Sequence, residues 1–372
     1  MGECVKALLV SGIYPPDIGG PASYVPRLAT RLSELGFEVH IVSLTDGPYE
    51  ILKEDFAVVH LIPRNSRKIL RIFRVIHQLI LWGKSSNFLF ANGLYEEVAI
   101  ASFLLRKKFV FKIVGDPIWE RYQNSGMDIE TQEFLKFNLP KKFLIQGKIF
   151  KWSISRSSKV TTPSAGLAKV IQERYKMEKI SVIANGVKEK NYIQNHNYEY
   201  DLVSISRLVS WKRIELLISL AIKENLSLVV IGDGPERDRL FQQTQNGRNR
   251  IIFTGNLRKE DIQDYLKKSR VFALLSEYEG MSFSLLEAMM AGKRILTSDI
   301  SGNNEVLGKS IFAKRVNPLD FESLVKAALA LLPDTEENFS RERDAHTWAK
   351  DNFSESLQIE KMIQYCSGKS HD

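Results

Sequence analysis

Cysteine is nearly absent from this 372-residue chain: Cys4 and Cys366 are the whole supply, one near each end. That pair excludes a disulfide framework or a cysteine zinc site and suits a reducing compartment. The histidines, at 40, 60, 77, 196, 346 and 371, form no H-x-x-x-H pair, so no metal site is expected. No apolar stretch is long and uncharged enough to span a bilayer. The opening Met-Gly-Glu-Cys-Val-Lys runs straight into strand-like Ala7–Val10 without a long apolar signal core, which leads us to expect a cytoplasmic protein. G-x-G-x-x-G is missing, so nothing specific supports a dinucleotide oxidoreductase. An aromatic–basic nucleic-acid motif is missing too, and no nucleic-acid partner is expected.

What is present is length, a βα rhythm and positive charge. A chain of 372 residues is long for one core and natural for two. The net charge of +8 is concentrated in the first 190 residues, which suggests an anionic partner there. Arg64 to Lys84 is basic and apolar at helical period. Arg67, Lys68, Arg71 and Arg74 gather around one side, and Ile69, Ile72, Phe73, Ile76, Ile80 and Leu81 form the other. The apolar side is expected to pack on a sheet as a crossover helix. Its charged flank can also dock peripherally on anionic lipid, at about 1 kcal/mol per cation near the surface.

The first unit reads as strand (Val5–Ser11), loop (Gly12–Pro21), helix (Ala22–Leu35), strand (Phe37–Leu44). A βαβ pattern means a parallel sheet with right-handed crossovers. Gly19 and Gly20 allow close backbone approach to a ligand, and Pro21 suits the first helical turn behind them. Strands Phe88–Ala91 and Phe109–Val114 end at Asn92-Gly93 and Gly115-Asp116. Ligands of such sheets bind at the carboxyl ends of strands. Asn92, Asp116, Trp119 and Glu120 are therefore candidate acceptor-site residues. Residues 117–150 read as an insertion covering that side. Residues 189–200 are polar and nonperiodic and read as a linker between a 1–188 domain and a 201–344 domain.

In the second domain, Arg207 and Lys212 follow the strand Asp201–Ser206. They are either a pair for a diphosphate or two surface cations on a loop. The stretch Ser276 to Gly292, S-E-Y-E-G-M-S-F-S-L-L-E-A-M-M-A-G, carries the sharpest signal. A buried strand, Arg270–Leu275, leads into a turn with Gly280. A helix then opens at Ser282 or Ser284. Strand, glycine turn and helix N-terminus make an anion site. Glu279 and Glu287 bracket it. Carboxylates among phosphates repel them, so these two suit sugar or ribose hydroxyls. A plain helix with one solvated and one dipole-stabilising glutamate remains the other reading.

E-G-M-S-F-S-L-L-E-A-M-M-A-G-K-R-I-L-T-S, followed by Gly302 and Glu305, resembles the nucleotide-sugar signature of glycosyltransferase family 4. Met290 stands for an Ala and Arg294 for a Pro, both mild departures. Y-P-P-x-x-G-G-P resembles the family's N-terminal loop, R-L-V-x-x-K its phosphate pair, and I-x-N-G-V its hinge. The resemblance implies the α/β GT-B fold: two Rossmann-like domains facing across a cleft, with a C-terminal helix (about 345–372) crossing back to the first.

It also implies a retaining, metal-independent transfer from a UDP- or GDP-sugar, with no cofactor. The acceptor would be a hydroxyl of a lipid-linked, envelope or exopolysaccharide glycan. Glu279, Asp116 and Gly20 are the catalytic candidates. Donor contacts fall on Gly19, Gly20, Arg207, Lys212, Gly232, Asn256, Leu257, Glu279, Gly280, Met281, Ser282, Phe283 and Glu287. The chain departs from the family at Gly115, where many members carry a sugar-contacting His. A GT-B nucleotide-sugar epimerase and a non-enzymatic basic binding protein are the competing readings.

Overall fold

The computed structural model describes residues 5–17, 19–123, 125, 140–192, 197–244 and 250–368. Cys4, His196, His371 and positions 126–139 of the expected insertion lie outside the described residues. The chain divides into two compact units, one of residues 1–184 and 358–372, the other of residues 185–357. The division therefore falls ahead of the 189–200 stretch, and the tail rejoins the first unit from Gln358.

Among the described residues the first unit holds eight strands: β1 (Lys6–Ser11), β2 (Glu38–Thr45), β3 (Glu50–Glu54), β4 (Ala57–Pro63), β5 (Phe88–Asn92), β6 (Val110–Lys112), β7 (Lys159–Thr162) and β8 (Ser181–Val182). Their order is β3-β4-β2-β1-β5-β6-β7-β8. All neighbours are parallel except β3 and β4. Sequence reasoning missed this hairpin, because β3 is a charged edge strand with no buried residue. Such charge is how an edge avoids pairing with another chain. The chain moves outward from β1 through β2 to β4 and then returns to β5 beside β1. The carboxyl ends of β1 and β5 therefore flank a topological switch point, the usual ligand position in such sheets.

Its helices are α1 (Gly20–Glu34), α2 (Lys68–Gly83), α3 (Tyr95–Leu105), α4 (Pro117–Gln123), α5 (Lys141–Ser155) and α6 (Ala165–Tyr175). The expected face of α2 needs correction. Val75, Leu79 and Gly83 are buried, whereas Ile69, Phe73 and Leu81, assigned to the packing side, are exposed. Apolar residues surround this helix almost completely, so periodicity alone cannot choose its face. Gly83 chooses it: a Cβ there would meet Leu105 Cδ1 at 2.8 Å and Leu8 Cδ2 at 3.5 Å. Only the glycine side can approach the sheet that closely.

The second unit restarts with β9 (Tyr200–Ile205), α7 (Ile214–Lys223), β10 (Leu228–Ile231), α8 (Arg237–Thr244), β11 (Ile251–Gly255) and α9 (Lys259–Lys268). It continues with β12 (Ser269–Leu274), α10 (Phe283–Met290), β13 (Arg294–Ser298), α11 (Ser301–Leu307), β14 (Ala313–Val316), α12 (Phe321–Leu331) and α13 (Glu336–Phe353). The six strands are parallel in the order β11-β10-β9-β12-β13-β14. Leu202, Val230, Val271, Leu275 and Leu296 from the sheet region meet Leu217, Leu220, Leu324 and Leu331 of α7 and α12 in one core. Here the switch point lies between β9 and β12. A last helix, α14 (Glu355–Ser367), ends the described chain.

Arg294 is more than the mild departure its place in the motif suggests. Its side chain is fully buried. Nε bonds Glu342 Oε1 at 2.8 Å, Nη2 bonds Asp334 Oδ1 at 2.8 Å, and Nη1 donates to the carbonyls of Leu331 (2.9 Å), Leu332 (2.9 Å) and Pro333 (3.2 Å). The guanidinium thus ties β13 to the end of α12 and to α13, using the planar fork that a proline lacks.

Candidate active site

The second unit's site is built at its switch point. β9 and β12 are parallel neighbours, so the loops leaving them emerge at one edge. The β9 exit carries Arg207 and Lys212, and the β12 exit carries Glu277 and Glu279. Three contacts tie the two loops. Lys212 Nζ lies 2.5 Å from Glu279 Oε1, Arg213 pairs with Glu277, and Glu277 N donates to Trp211 O at 2.9 Å. Ser276 Oγ adds a bond of 2.7 Å to Glu279 Oε1. Glu279 and Lys212 were expected to serve sugar and phosphate separately; here they hold each other, with Ser276 as the third member.

Close backbone approaches set this loop. A Cβ on Gly302 would stand 2.0 Å from Glu279 O, so α11 presses directly on the loop from below. Ser298 Oγ donates to Ser276 O at 2.5 Å. A Cβ on Gly232 (φ +128) would stand 2.0 Å from Ser206 O, and one on Gly234 2.2 Å from Leu208 O. Leu208 N and Glu236 N complete the join by bonding Asp233 O and Leu208 O. The β9 and β10 exits are therefore zipped together beneath Arg207. Its carbonyl accepts from Val209 N at 3.0 Å, while its side chain is exposed and has no hydrogen-bond or ion-pair partner among the described residues.

α10 starts after the loop. Ser282 is its N-cap, accepting from Leu285 N at 3.3 Å and bonding Ser284 Oγ at 2.9 Å. Asn185 secures the approach, with Nδ2 donating to Met281 O at 3.2 Å. Glu279 therefore precedes the helix, and Glu287 lies one turn inside it. Glu287 lines a cavity with Val187, Lys188, Lys190, Lys259, Gln263 and Met290. Its carboxylate is 3.8 Å from Lys259 Nζ. Burial, and Lys259 after it, press the Lys190 ammonium below the ordinary lysine range. Gly280, Met281 and Ser282 are buried and Phe283 is half-buried. Asn256 is exposed and Leu257 half-buried after β11.

The first unit has its own switch-point cluster. Asn92 ends β5 opposite Ser11 of β1. A Cβ on Gly93 would meet Gly12 N at 2.5 Å, so the two exit loops touch. Asn92 is 1% exposed, and neither Nδ2 nor Oδ1 has a hydrogen-bond partner among the described residues. Gly19 caps α1, where a Cβ would run into Ile13 Cδ1 at 2.6 Å; Gly20 is the first helical residue. Asp116 is 1% exposed. Its Oδ1 accepts from Ile118 N (2.9 Å), Trp119 N (3.2 Å) and Tyr175 OH (2.8 Å), and Oδ2 faces Arg174 Nε at 3.3 Å. Those bonds cap α4. Trp119 is buried. Glu120 is exposed and folds back over Gly115, where an added Cβ would stand 2.1 Å from its Oε1. The carboxylate fills the space a side chain at 115 would claim. Of the α2 cations, Arg67, Lys68 and Arg74 are exposed, while Arg71 is half-buried and donates to Arg64 O at 3.3 Å.

Two family models match consecutive parts of the chain. Glycosyltransferase Family 4 matches residues 18–190, and Glycosyl transferases group 1 matches residues 188–345. The chain is a family 4 glycosyltransferase. It is 26% identical to the O-antigen biosynthesis glycosyltransferase WbnH of Escherichia coli over 304 residues, 78% of this chain and 81% of that one. Sucrose-phosphate synthase from Thermosynechococcus elongatus superposes with a TM-score of 0.78 at 18% identity, covering 97% and 98% of the two chains. Anabaena HepE, solved in complex with UDP and glucose, gives 0.75 at 18% identity, covering 98% and 100%. The glycosyltransferase thus has two Rossmann-like sheets of the GT-B class, parallel apart from the β3–β4 pair, and is a transferase.

Proposed function

We propose that this enzyme moves a sugar, with retention of configuration, from a UDP- or GDP-sugar to a hydroxyl of a lipid-linked or envelope glycan, without a divalent metal. The observation that carries this reading is the convergence of the Lys212–Glu279 pair, Arg207 and the capped N-terminus of α10 at one switch point. Departure of the nucleoside diphosphate develops negative charge. A lysine, an arginine and a helix N-terminus stabilise that charge before any reorganisation. The diphosphate draws on Lys212, and Glu279 then accepts from a sugar hydroxyl while Ser276 keeps its orientation. Glu287 takes the ribose, with Gly232, Asn256 and Leu257 beside the base.

In the first unit, Asn92 and Glu120 take the acceptor, Glu120 in the space beside Gly115. Asp116 acts through α4, positioning Trp119 and Glu120. The O-antigen enzyme from Escherichia coli supports an envelope glycan as acceptor, and the UDP complex of HepE supports a UDP-sugar as donor.

Thermal-shift measurements with UDP-, GDP- and ADP-sugars test the reading. Donor at a hundred times its dissociation constant adds about 2.7 kcal/mol to stability. One donor should shift the wild-type enzyme, and Arg207→Ala should remove most of the shift. Absence of a shift with every donor would refute the proposal.

A further inference from the structure

We infer that Arg213 is a positioning residue for the transfer: it holds the β12 exit loop against the β9 exit once the donor has drawn Lys212 away from Glu279. The inference rests on the reaction proposed above. Among the described residues, Leu94, Arg106, Lys176, Arg213 and Asn225 are the non-glycine residues with positive φ. Arg106, Lys176 and Asn225 follow the ends of α3, α6 and α7, where a left-handed residue is an ordinary helix stop. Arg213, at φ +53° and ψ +37°, instead precedes a helix, α7. A residue in that place normally takes the extended region and caps the first turn with its side chain. Arg213 makes no such cap. Glycine would adopt this conformation without steric cost, so a long side chain kept there needs another reason.

The reason is a contact. Trp211, Lys212 and Arg213 are consecutive on the β9 exit, and all three grip the segment Glu277–Glu279. Trp211 O accepts from Glu277 N at 2.9 Å, Lys212 Nζ lies 2.5 Å from Glu279 Oε1, and the Arg213 guanidinium pairs with Glu277. On its other side Arg213 Nη1 is 3.4 Å from Glu215 in the first turn of α7. Glu215 is also 3.7 Å from Arg239 Nη2 of α8, and Arg239 Nε bonds Glu236 Oε2 at 2.5 Å. Charges of alternating sign therefore run Glu277–Arg213–Glu215–Arg239–Glu236, from the β12 exit across the start of α7 to the β10 exit. Each interior member stands between two opposite charges, and such a network holds its geometry better than an isolated exposed pair.

The Lys212–Glu279 bond cannot serve the free and the donor-bound enzyme alike. Once Lys212 turns to the diphosphate and Glu279 to the sugar, that tie between the loops is gone. The Trp211–Glu277 backbone bond and the Arg213–Glu277 pair remain. Arg213 therefore matters most with donor bound, where a misplacement of about 1 Å slows a reaction about a hundredfold. Its loss should appear in kcat, with little change in the stability of the free protein.

The test compares kcat for nucleoside diphosphate release, the donor dissociation constant from calorimetric titration, and melting temperature. Arg213→Gly should melt within about 2 °C of wild type, because relief of the left-handed backbone offsets the lost pair. It should bind donor within about threefold of wild type yet lose at least about tenfold in kcat. Arg213→Lys keeps a cation before Glu277 on the same backbone and should recover most of kcat. Glu277→Ala leaves Arg213 in place and should lose as much as Arg213→Gly. The double variant Arg213→Gly/Glu277→Ala should be no slower than either single one. Wild-type kcat in Arg213→Gly or in Glu277→Ala would overturn the inference. So would Arg213→Lys as slow as Arg213→Gly, or losses that multiply in the double variant. A wild-type enzyme that turns over no nucleotide sugar would instead refute the reaction itself, and this inference with it.

Discussion

Replacing Arg294 by alanine should strongly destabilise the unit of residues 185–357. Arg294 is fully buried, and its partner Glu342 is 1% exposed. The substitution removes the cation from a buried carboxylate that, among the described residues, keeps only the hydroxyls of Tyr192 (3.2 Å) and Tyr198 (3.0 Å). It also strips a donor from three carbonyls at the end of α12. Breaking one side of a buried ion pair costs about 3–5 kcal/mol. For a unit of this size each kcal/mol lowers the melting temperature by about 2–4 °C, so the drop should be roughly 6–20 °C. Differential scanning calorimetry reads it directly. A second variant, Arg294→Met/Glu342→Met, should recover much of the loss, because apolar replacement of both partners removes the uncompensated charge. A loss below about 1 kcal/mol for Arg294→Ala would refute the hub assigned to this residue.

Further outcomes follow from other close contacts. Lys112 is fully buried on β6, and burial lowers its ammonium to about 7. The folded value lies below the unfolded one, so the unfolded chain binds the extra proton between pH 7 and about 10.5. Stability should rise with pH across that window, by up to about 1.4 kcal/mol per unit, with the full penalty present below pH 7. Lys112→Met should flatten this rise and stabilise at pH 7, as urea midpoints at pH 7 and 9 will show; a less stable variant with an unchanged slope would contradict it. Gly302→Ala pushes a methyl toward Glu279 O and should weaken donor binding in calorimetric titration well beyond its effect on melting. Gly115→Ala displaces the Glu120 carboxylate and should raise KM for the acceptor while leaving donor affinity unchanged; an unchanged KM would remove Glu120 from the acceptor site.

The parts of the molecule legible in the sequence are those where local chemistry and tertiary position agree. The Ser282 cap and the glycine turn before it were readable because a side chain there bonds its own neighbouring backbone. The two βα series followed from period and punctuation. What was not legible depended on partners far away in the chain. The face of α2 is set by Gly83 meeting Leu8 and Leu105, contacts that no periodicity contains. The importance of Arg294 lies in carbonyls and carboxylates 37 to 48 positions later. Glu279 and Lys212, 67 residues apart, were each assigned a ligand partner, and the pairing between them follows only once β9 and β12 are known to be neighbours. The Glu120 carboxylate over Gly115 was likewise unreadable, since the sequence displays a missing side chain but not what fills its place.

In the reaction proposed above, positive groups at the β9–β12 switch point stabilise a departing nucleoside diphosphate without a metal. Its most direct measurement is the rate of nucleoside diphosphate release from the preferred nucleotide sugar, in the presence of acceptor and excess EDTA. Undiminished turnover is expected of the wild type, with a fall of at least about a hundredfold in kcat for Lys212→Met, the scale on which removal of one preorganised donor acts. Turnover that stops in EDTA and returns only with a divalent cation, or a Lys212→Met enzyme as fast as wild type, would contradict it.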